Sequence, residues 1–485
     1  MKILFYSYAY PNPLNTGLGT FNRSMVAGLA TDHEVRVVSP VSFVDAWKGR
    51  LTGRLPNGLN DPRFAAVRGV PAEYLASYYT PKLFRSEYGR WMWWSVRSRL
   101  DLTMDLFRPD VVLSYWAHPD GEVAVRMAHR HGVPAVVMVG GSDVLLLGRS
   151  GRRQQKILNV MRHADAVVTV SEHIRETLLT DGVEPRKLKV VRRGVDRALF
   201  APGDQTVARR GLGLPEKMSV LISVGRLVPV KGHSDLLQAC RLLAARSVAF
   251  RCYLLGDGPL KGDLQRQITQ LGLGGIVELK GAQTQSQLVE WYRAADATVL
   301  PSLSEGVPNV LMESIACGTP FVASDVGGVA EIADSRHDRL VPPASPIALA
   351  DAIEWQLKSR TNDLPPRGVE PLALKAAARR LSQVLEEVRG TVTAASKKWS
   401  SCGPPEMASD SDSATARVEA ACCVQNSLAP ASQALTQPVL SNSEETQSPA
   451  DAHWHEKLNL PSTDFFANEL GRTGEEFVLE KRCSS

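Results

Sequence analysis

Cysteines and long apolar runs are both scarce in this chain. Its 485 residues include 7 cysteines, an odd number with no Cys-x-x-Cys pair, which argues against a disulfide framework and favours a reducing, cytoplasmic environment. No stretch reaches the roughly 18 uninterrupted apolar residues that a membrane-spanning helix needs. Met1–Leu14 has one lysine and two prolines, which is not the pattern of a secretory signal. We therefore expect a cytoplasmic protein.

The overall composition excludes several protein classes. Hydrophobic residues make up 44% and charged residues 22% of the chain, which is ordinary for a globular enzyme and excludes a wholly disordered or collagen-like protein. The net charge of +5 hides an asymmetry, because residues 1–200 have 28 basic and 18 acidic side chains whereas residues 397–485 have 7 and 13. At about 150 residues per domain, the length predicts two or three domains.

Short apolar runs alternate with helix-length amphipathic stretches from Lys2 to about Lys358. Such alternation predicts parallel sheets covered by helices on both faces. The rhythm breaks over residues 40–110 and restarts at Ser219. We predict an α/β protein with two Rossmann-like doubly wound domains that face a central cleft, and a largely disordered tail. The predicted limits are 1–200 for the first domain, 201–360 for the second, 361–390 for a crossing helix and 391–485 for the acidic tail.

Two common nucleotide-binding fingerprints are missing. After the first strand, Gly17 and Gly19 allow close approach of a phosphate to the backbone, but Asn22 stands where a G-x-G-x-x-G motif needs its third glycine. No G-K-[ST] motif follows a glycine-rich loop, so ordinary NAD binding and ATPase activity are both disfavoured. The chain has no nucleic-acid recognition module, and we expect no nucleic-acid partner.

The most informative motif runs from Ser302 to Pro320. A strand leads into a turn that contains Glu305, and Pro308 is predicted at the first position of the helix that follows. The turn therefore offers backbone N–H groups and a positive helix end to an anion. Glu313 lies eight residues after Glu305, about 12 Å along a helix axis. This span suits two carboxylates that hold a sugar ring and a ribose on either side of a diphosphate.

A second motif places two cations after another strand. That strand ends at Gly225, Arg226 follows directly, and Lys231 comes five residues later at a helix start. An arginine fork and a lysine point charge together can neutralise a diphosphate. A further turn, Gly256-Asp-Gly258, follows the next strand and is predicted to line the same crevice at the strand ends.

In their order and spacing, these motifs resemble those of the retaining nucleotide-sugar glycosyltransferases of family 4, which have two Rossmann-like domains in the GT-B fold. The resemblance covers roughly residues 1–358, and its most specific element is the spacing of Glu305 and Glu313. It implies transfer of a hexosyl group from a UDP- or GDP-sugar to a hydroxyl of a glycan or lipid-linked acceptor, with no metal ion and no cofactor. It also implies that the departing diphosphate takes the proton of the acceptor.

The resemblance also implies roles for particular residues. Glu305 would bind hydroxyls of the donor sugar, Arg226 and Lys231 the diphosphate, and Glu313 the ribose. The catalytic residues would be Glu305, Arg226 and Lys231. The donor would be bound by Gly17 and Gly19 from the first domain and by Gly225, Arg226, Lys231, Gly306, Val307, Asn309, Val310 and Glu313 from the second.

One departure from the family pattern leaves alternatives open. The family often has histidine where this chain has Gly140, and His118 is the nearest candidate to line the same crevice, although a lone histidine after a strand is more often structural. A nucleotide-sugar epimerase of the GT-B type is one alternative function. A sugar-nucleotide-binding subunit without turnover is another.

Residues 78–100 combine seven aromatic side chains with five basic ones and one acid. This composition favours either of two structures. One is an interfacial patch that meets an anionic membrane surface, which would suit a lipid-linked acceptor and a membrane-associated enzyme. The other is a helix whose tryptophans pack on the first sheet with the arginines outside.

Overall fold

The computed structural model describes residues 1–79, 84–146, 151–359 and 367–400. Met1–Val392 belongs to one compact unit, and every site discussed below lies within it. The predicted acidic tail from residue 401 onward lies outside the described residues.

Short strands alternate with helices along most of the described chain. The strands are β1 Lys2–Tyr6, β2 Glu34–Ser42, β3 Ala72–Ser77, β4 Val111–Tyr115, β5 Ala135–Val139, β6 Ala166–Thr169, β7 Leu188–Val190, β8 Gly194–Val195, β9 Ser219–Val224, β10 Phe250–Leu255, β11 Val277–Gly281, β12 Ala297–Leu300, β13 Phe321–Ser324, β14 Arg339–Val341 and β15 Leu372–Ala373. The α-helices are α1 Thr20–Leu29, α2 Phe43–Leu51, α3 Tyr88–Phe107, α4 Glu122–Arg130, α5 Ser142–Leu145, α6 Gly151–His163, α7 Glu172–Thr180, α8 Gln205–Gly211, α9 His233–Ala245, α10 Lys261–Gln270, α11 Gln285–Ala294, α12 Asn309–Ala316, α13 Pro346–Lys358 and α14 Leu374–Ser400.

Two large parallel sheets organise these elements. The first has the order β3-β2-β1-β4-β5-β6-β7 and the second the order β11-β10-β9-β12-β13-β14. In each, the chain starts near the middle, runs to one edge and returns to build the other half, which is the doubly wound arrangement. Ligands of such sheets bind at the carboxyl ends of the strands, where the winding reverses. The predicted fold class is confirmed.

The central strands consist almost wholly of buried apolar side chains. All five residues of β4 and of β5 are buried, as expected for strands that have helices on both faces. Polar side chains are thereby confined to the loops at the strand ends. The candidate site is built from these loops.

Helix α14 returns to the first sheet after the second has been completed. Its side chains Leu381, Leu385 and Val388 join the core cluster of β1 and α1, and the Cβ of Ala378 would lie 2.8 Å from a Cβ added at Gly28. A crossing helix was expected at 361–390. The helix that the structure has continues to Ser400, beyond residue 391, where the tail was predicted to begin.

The stretch that broke the sequence rhythm supplies one edge of the first sheet. Strand β3 pairs with β2 from Ala72 to Ser77, and α2 and α3 flank it. Neither β3 nor α2 was predicted from the sequence. Residues 80–83 of the aromatic segment lie outside the described residues.

Candidate functional site

Three loops of the second domain interlock at the carboxyl ends of its strands. A Cβ added at Gly256 would overlap the carbonyl of Gly225, and one at Gly232 would overlap the carbonyl of Pro301. Gly232 also has a φ of 63°, a left-handed conformation that favours glycine. The turn at Gly258 packs as closely against Leu227. The structure therefore brings the loop with Arg226 and Lys231, the Gly256–Gly258 turn and the Glu305 loop to one edge of the second sheet, as the sequence predicted.

Glu305 and Lys231 contact each other in this arrangement. The ammonium nitrogen of Lys231 lies 2.5 Å from Glu305 Oε1, and the Ser302 hydroxyl donates to the same oxygen at 2.7 Å. Only 10% of the Glu305 side chain is exposed, against 23% of Lys231. Arg226 is exposed at the start of the same loop. Its backbone carbonyl lies 3.2 Å from Nε2 of His233, a histidine whose pKa burial lowers to about 4.

The position of Pro308 relative to helix α12 differs from the sequence prediction. Pro308 has an extended ψ of 117° and stands just before the helix, so the first helical residue is Asn309. The prediction that Pro308 occupies the first helical position was wrong, because its ψ takes the backbone out of the helical region. The N–H groups at the start of α12 still lie next to the Glu305 loop, where an anion finds donors and the positive end of the helix dipole.

Glu313 lies on α12 and lines the cleft between the two domains. The Tyr292 hydroxyl donates to its Oε2 at 2.9 Å. Burial disfavours the charged form and raises the pKa of Glu313 to about 7, while the hydrogen bond from Tyr292 opposes this rise. A carboxyl in this state can accept a hydrogen bond from a hydroxyl ligand and titrates near neutrality.

The first domain meets the Glu305 loop through glycines. A Cβ added at Gly306 would overlap the carbonyl oxygen of Gly140, and one at Gly141 would lie 2.7 Å from the Cα of Gly306. The buried carboxylate of Asp143 holds this turn, since it accepts from the N–H groups of Gly140 and Gly141 at 3.1 and 2.9 Å. The 140–141 turn and the donor-side loop are therefore in backbone contact.

Gly17 and Gly19 lie on the loop between β1 and α1. Gly19 has a φ of 61° and packs on the backbone of Ala9, whose carbonyl a Cβ would overlap. Gly17 is exposed, and its nearest neighbour is Asn15 Oδ1, 3.7 Å from an added Cβ. Gly19 thus has a packing reason to be glycine, independent of any ligand.

The cleft contains two side chains, Arg193 and Tyr115, that were not singled out from the sequence. Arg193, in the segment between β7 and β8, donates to the Tyr115 hydroxyl at the end of β4 and stacks on the ring of Phe21, 4.3 Å from its centroid. Its other nitrogen reaches Asn309 Oδ1 of the second domain at 3.5 Å. The sequence does show two consecutive arginines in Arg192-Arg193-Gly194. It does not show which of them contacts Tyr115.

His118 does not reach the cleft surface. It is 1% exposed, its Nε2 lies 3.4 Å from Glu122 Oε2, and burial lowers its pKa. The Glu122 carboxylate in turn fills the space that a side chain at Gly89 of α3 would need. These contacts favour the structural alternative for His118.

Further contacts join the domains around the cleft. The Glu331 carboxylate accepts from the backbone N–H of His173 at 3.0 Å and from Arg192 at 3.2 Å, so Arg192 forms an ion pair across the two domains. Arg23 of α1 donates to Gln285 of α11 at 3.1 Å.

The aromatic segment has both packed and exposed rings. On α3, Trp93 packs against buried core residues, whereas Trp94 is 68% exposed. Rings of Phe43 and Tyr78 lie 5.3 Å apart, and Tyr78 and Trp91 follow at 6.4 Å. We call these rings and the neighbouring arginines the aromatic-basic surface, in which Trp91 is half-buried and the other rings are exposed. Its members are Phe43, Trp47, Tyr78, Phe84, Arg90, Trp91, Trp94 and Arg97.

Neither a metal-binding cluster nor a membrane-spanning helix is found among the described residues. No group of three or more His, Cys, Asp or Glu side chains there is arranged to hold a metal ion. Within the same residues, every helix is too short or too polar to cross a bilayer.

Two protein families match this chain in succession. Residues 15–199 match Glycosyltransferase Family 4, and residues 204–367 match Glycosyl transferases group 1. The two matches together span most of the described residues and correspond to the first and second sheets.

Similar proteins include a glycosyltransferase named for teichuronic acid biosynthesis, TuaC of Bacillus subtilis, which is 29% identical over 73% of this chain and 88% of its own length. D-inositol 3-phosphate glycosyltransferase 2 of Catenulispora acidiphila is 32% identical over 53% of this chain. That match spans 65% of the length of the relative. Among solved structures, Anabaena HepE in complex with UDP superimposes with a TM-score of 0.57 at 19% identity, over 82% of this chain and 100% of that chain.

Proposed function

Because the chain belongs to the family 4 glycosyltransferases, which transfer sugars from nucleotide donors, we propose that it moves a hexosyl group, with retention, from a UDP- or GDP-sugar to a hydroxyl of a glycan or lipid-linked acceptor. The observation that carries this proposal is Glu305, whose carboxylate is held by Lys231 and Ser302 beside the start of α12. The relatives named for teichuronic acid and inositol 3-phosphate support a hydroxyl acceptor. The UDP bound to HepE supports a uridine donor.

Departure of the diphosphate builds negative charge on the leaving group and positive charge on the sugar. In this proposal, Arg226, Lys231 and the N–H groups at the start of α12 stabilise the leaving diphosphate, because fixed donors aimed at developing charge lower the barrier. These groups do so without a metal ion or a cofactor. Glu305 holds the sugar hydroxyls, and Glu313 accepts from the ribose. In this proposal, residues 1–200 form the acceptor side of the cleft and residues 201–360 form the donor side.

Lys231 and Glu305 also form an ion pair with each other. Each group neutralises the other in a half-buried cleft, where an unpaired charge is costly. When the diphosphate arrives, Lys231 exchanges a carboxylate for a phosphate oxygen, and Glu305 is released toward the sugar. Gly17 and Gly19 are proposed to approach the phosphates from the first domain, with Gly225, Gly306, Val307 and Val310 supplying backbone contacts.

Incubation with a panel of nucleotide sugars tests this function. Thermal shift identifies the donor that binds, since a ligand of the folded state raises the melting temperature, and mass spectrometry follows the products. We expect UDP- or GDP-sugar to be consumed with a free nucleoside diphosphate as product. A donor that binds but is never cleaved would favour the non-catalytic subunit, and a product with an inverted sugar centre still attached to the nucleotide would favour the epimerase. Neither alternative is supported by the named relatives.

The aromatic-basic surface supports a peripheral membrane location. Exposed Trp94 lies one helical turn from Arg90 and Arg97, so that apolar rings and positive charges share a face of α3. Such a face suits the boundary of an anionic bilayer. We propose that the protein is cytoplasmic and associates with anionic membranes through this surface.

A further inference from the structure

Arg193 is held at the point where the two domains touch. Its Nη2 would lie 3.1 Å from a Cβ at Gly140, and the backbone of Gly140 packs on Gly306 of the Glu305 loop. Arg193 also reaches Asn309 at the start of α12. The guanidinium therefore stands beside the loop proposed to hold the donor sugar.

The contacts of Arg193 fix its position without neutralising its charge. They are the Tyr115 hydroxyl, the Asn309 amide oxygen and the rings of Phe21 and Tyr115, which are all neutral groups. Over the described part of the chain, Arg193 makes no ion pair, whereas the adjacent Arg192 is paired with Glu331. A planar cation stacked on aromatic rings keeps its fork of N–H donors in one orientation. Such a group is prepared for an anion.

Tyr115 explains the glycine at position 140. A Cβ added there would overlap the Tyr115 hydroxyl, so that hydroxyl and any side chain at 140 exclude each other. Members of this family often have histidine at the position of Gly140. In this chain, the space beside Gly140 is taken by the hydroxyl of Tyr115, which orients Arg193. Tyr115 acts through Arg193 and is a positioning residue.

The cavity that contains Arg193 has walls from both domains. Phe21, Tyr115 and Arg193 form its first-domain side, and Asn309 and Glu313 form the other. The Glu313 carboxyl accepts a hydrogen bond from Tyr292. Arg226 and Lys231, the cations proposed to hold the diphosphate, belong to the second domain. Because Arg193 stacks on first-domain rings and Arg226 and Lys231 already supply the proposed cations for the diphosphate, its anion is expected from the acceptor rather than from the donor.

We propose that Arg193, oriented by Tyr115 and Phe21, binds a negatively charged group of the acceptor, a carboxylate or a phosphate, and so selects acidic acceptors. This inference rests on the proposed function and names the class of acceptor for the same cleft.

The test compares matched acceptors that differ only in charge. Methyl glucuronide is paired with methyl glucoside, and inositol 3-phosphate with inositol, so that the two pairs separate a carboxylate from a phosphate. Kinetics and binding by calorimetry are measured for the wild-type protein and for Arg193→Gln, Arg193→Lys and Tyr115→Phe. Arg130→Gln is the control, since it removes an exposed first-domain arginine of α4 that pairs with Asp101 and does not line this cavity.

We expect Arg193→Gln to reduce kcat/KM, or the binding constant, for the anionic member of a pair by about tenfold or more. The neutral member, the KM for donor and donor hydrolysis without acceptor should change less than about twofold. Arg193→Lys should recover part of the loss because it restores the charge, and Tyr115→Phe should show a smaller loss with the same preference. Arg130→Gln should behave as wild type.

Three results would overturn the inference: no preference of the wild-type protein for either anionic acceptor, equal losses for charged and neutral acceptors, or a loss of nucleotide affinity that makes Arg193 a donor ligand. Failure of the proposed function is a separate result. In that case wild-type protein cleaves no nucleotide sugar, and the binding measurements on the same acceptor pairs still decide whether Arg193 holds an anion.

Discussion

The Lys231 ammonium lies 2.5 Å from the Glu305 carboxylate. The two residues are therefore partners, although the proposal gives one to the diphosphate and the other to the sugar. Removal of either member leaves the other without its counter-charge in a cleft where both are largely covered, a situation that is usually strongly destabilising. Variants at these positions must be read with a stability control.

Glu305→Gln should reduce kcat of transfer by roughly 100-fold or more, because an amide cannot match the carboxylate at the developing positive charge of the sugar. The amide oxygen can still accept from Ser302, so the protein should still fold, but with a lower melting temperature because Lys231 loses its counter-charge. Steady-state transfer and thermal melting measure the two effects. Glu290→Gln, which removes a surface carboxylate paired with Arg293, is the control. A near-normal rate would remove Glu305 from the chemistry.

Arg226→Ala should weaken binding of the nucleoside diphosphate about 10- to 100-fold, the value of a charge-assisted contact of about 1.5 to 3 kcal/mol. Isothermal titration with UDP and GDP measures it. Arg241→Ala, which removes an exposed arginine of α9 in the same domain, should leave the affinity unchanged. If the two variants bind alike, Arg226 lies outside the donor site.

The fold was predictable because its signal is carried by whole segments. Buried parallel strands are continuous apolar runs, and their alternation with helix-length amphipathic stretches predicted the two parallel sheets. Strand β3 was missed because its sequence, Ala-Glu-Tyr-Leu-Ala-Ser, lacks a continuous apolar run and pairs at the sheet edge. Pro308 was assigned to the first helical position although it stands just before α12, because only the backbone angles show on which side of Pro308 the helix begins.

Part of the candidate site was also visible in the sequence. Glu305, Arg226 and Lys231 follow strands and carry local motifs, so their convergence at one edge was predictable. The pairing of Arg193 with Tyr115 was not, since these residues are 78 positions apart and meet only when the cleft forms. His118 was a candidate because it follows a strand, yet that position is covered by α3 and α6.

Gly306→Ala should separate donor binding from transfer. The added methyl group would overlap the carbonyl of Gly140, so the first domain can no longer contact the Glu305 loop, at a cost in free energy of unfolding of about 1 to 3 kcal/mol. Transfer should fall at least about tenfold, while calorimetry should find UDP affinity nearly unchanged. Gly274→Ala, where nothing lies within 4 Å of the new Cβ, is the matched control. Normal transfer by Gly306→Ala would show that the glycine contact is dispensable.

The aromatic-basic surface should bind anionic vesicles. Combined Arg90→Gln and Arg97→Gln substitutions should weaken co-sedimentation with phosphatidylserine vesicles by about 1 kcal/mol per arginine, and Trp94→Ala should weaken it further. Arg99 is left intact, because it is paired with Glu73 at 2.5 Å. Leu106→Ala, at the other end of α3 and 70% exposed, controls for the loss of apolar area. Unchanged sedimentation would leave only the packing role of the segment.

Glu313→Gln should change stability in a pH-dependent way. Burial raises the pKa of this carboxyl from 4.5 to about 7, so between these values the folded protein holds a proton that the unfolded chain has released. The contribution of Glu313 to the free energy of unfolding therefore falls as the pH rises through that window. The glutamine variant should be more stable than wild type at pH 8, by on the order of 2 to 3 kcal/mol at most.

Urea unfolding at pH 4 and pH 8 measures this difference, which should vanish at the lower pH. Asp120, whose pKa burial also raises to about 7, is present in both proteins and cancels in the comparison. An equal difference at both pH values would contradict the raised pKa. The Glu313→Gln variant also tests the contact with the ribose. If the ionised carboxylate accepts from a ribose hydroxyl, the variant should bind UDP more weakly at pH 8, although it is more stable there. The reason is that a neutral amide is a weaker acceptor than a carboxylate.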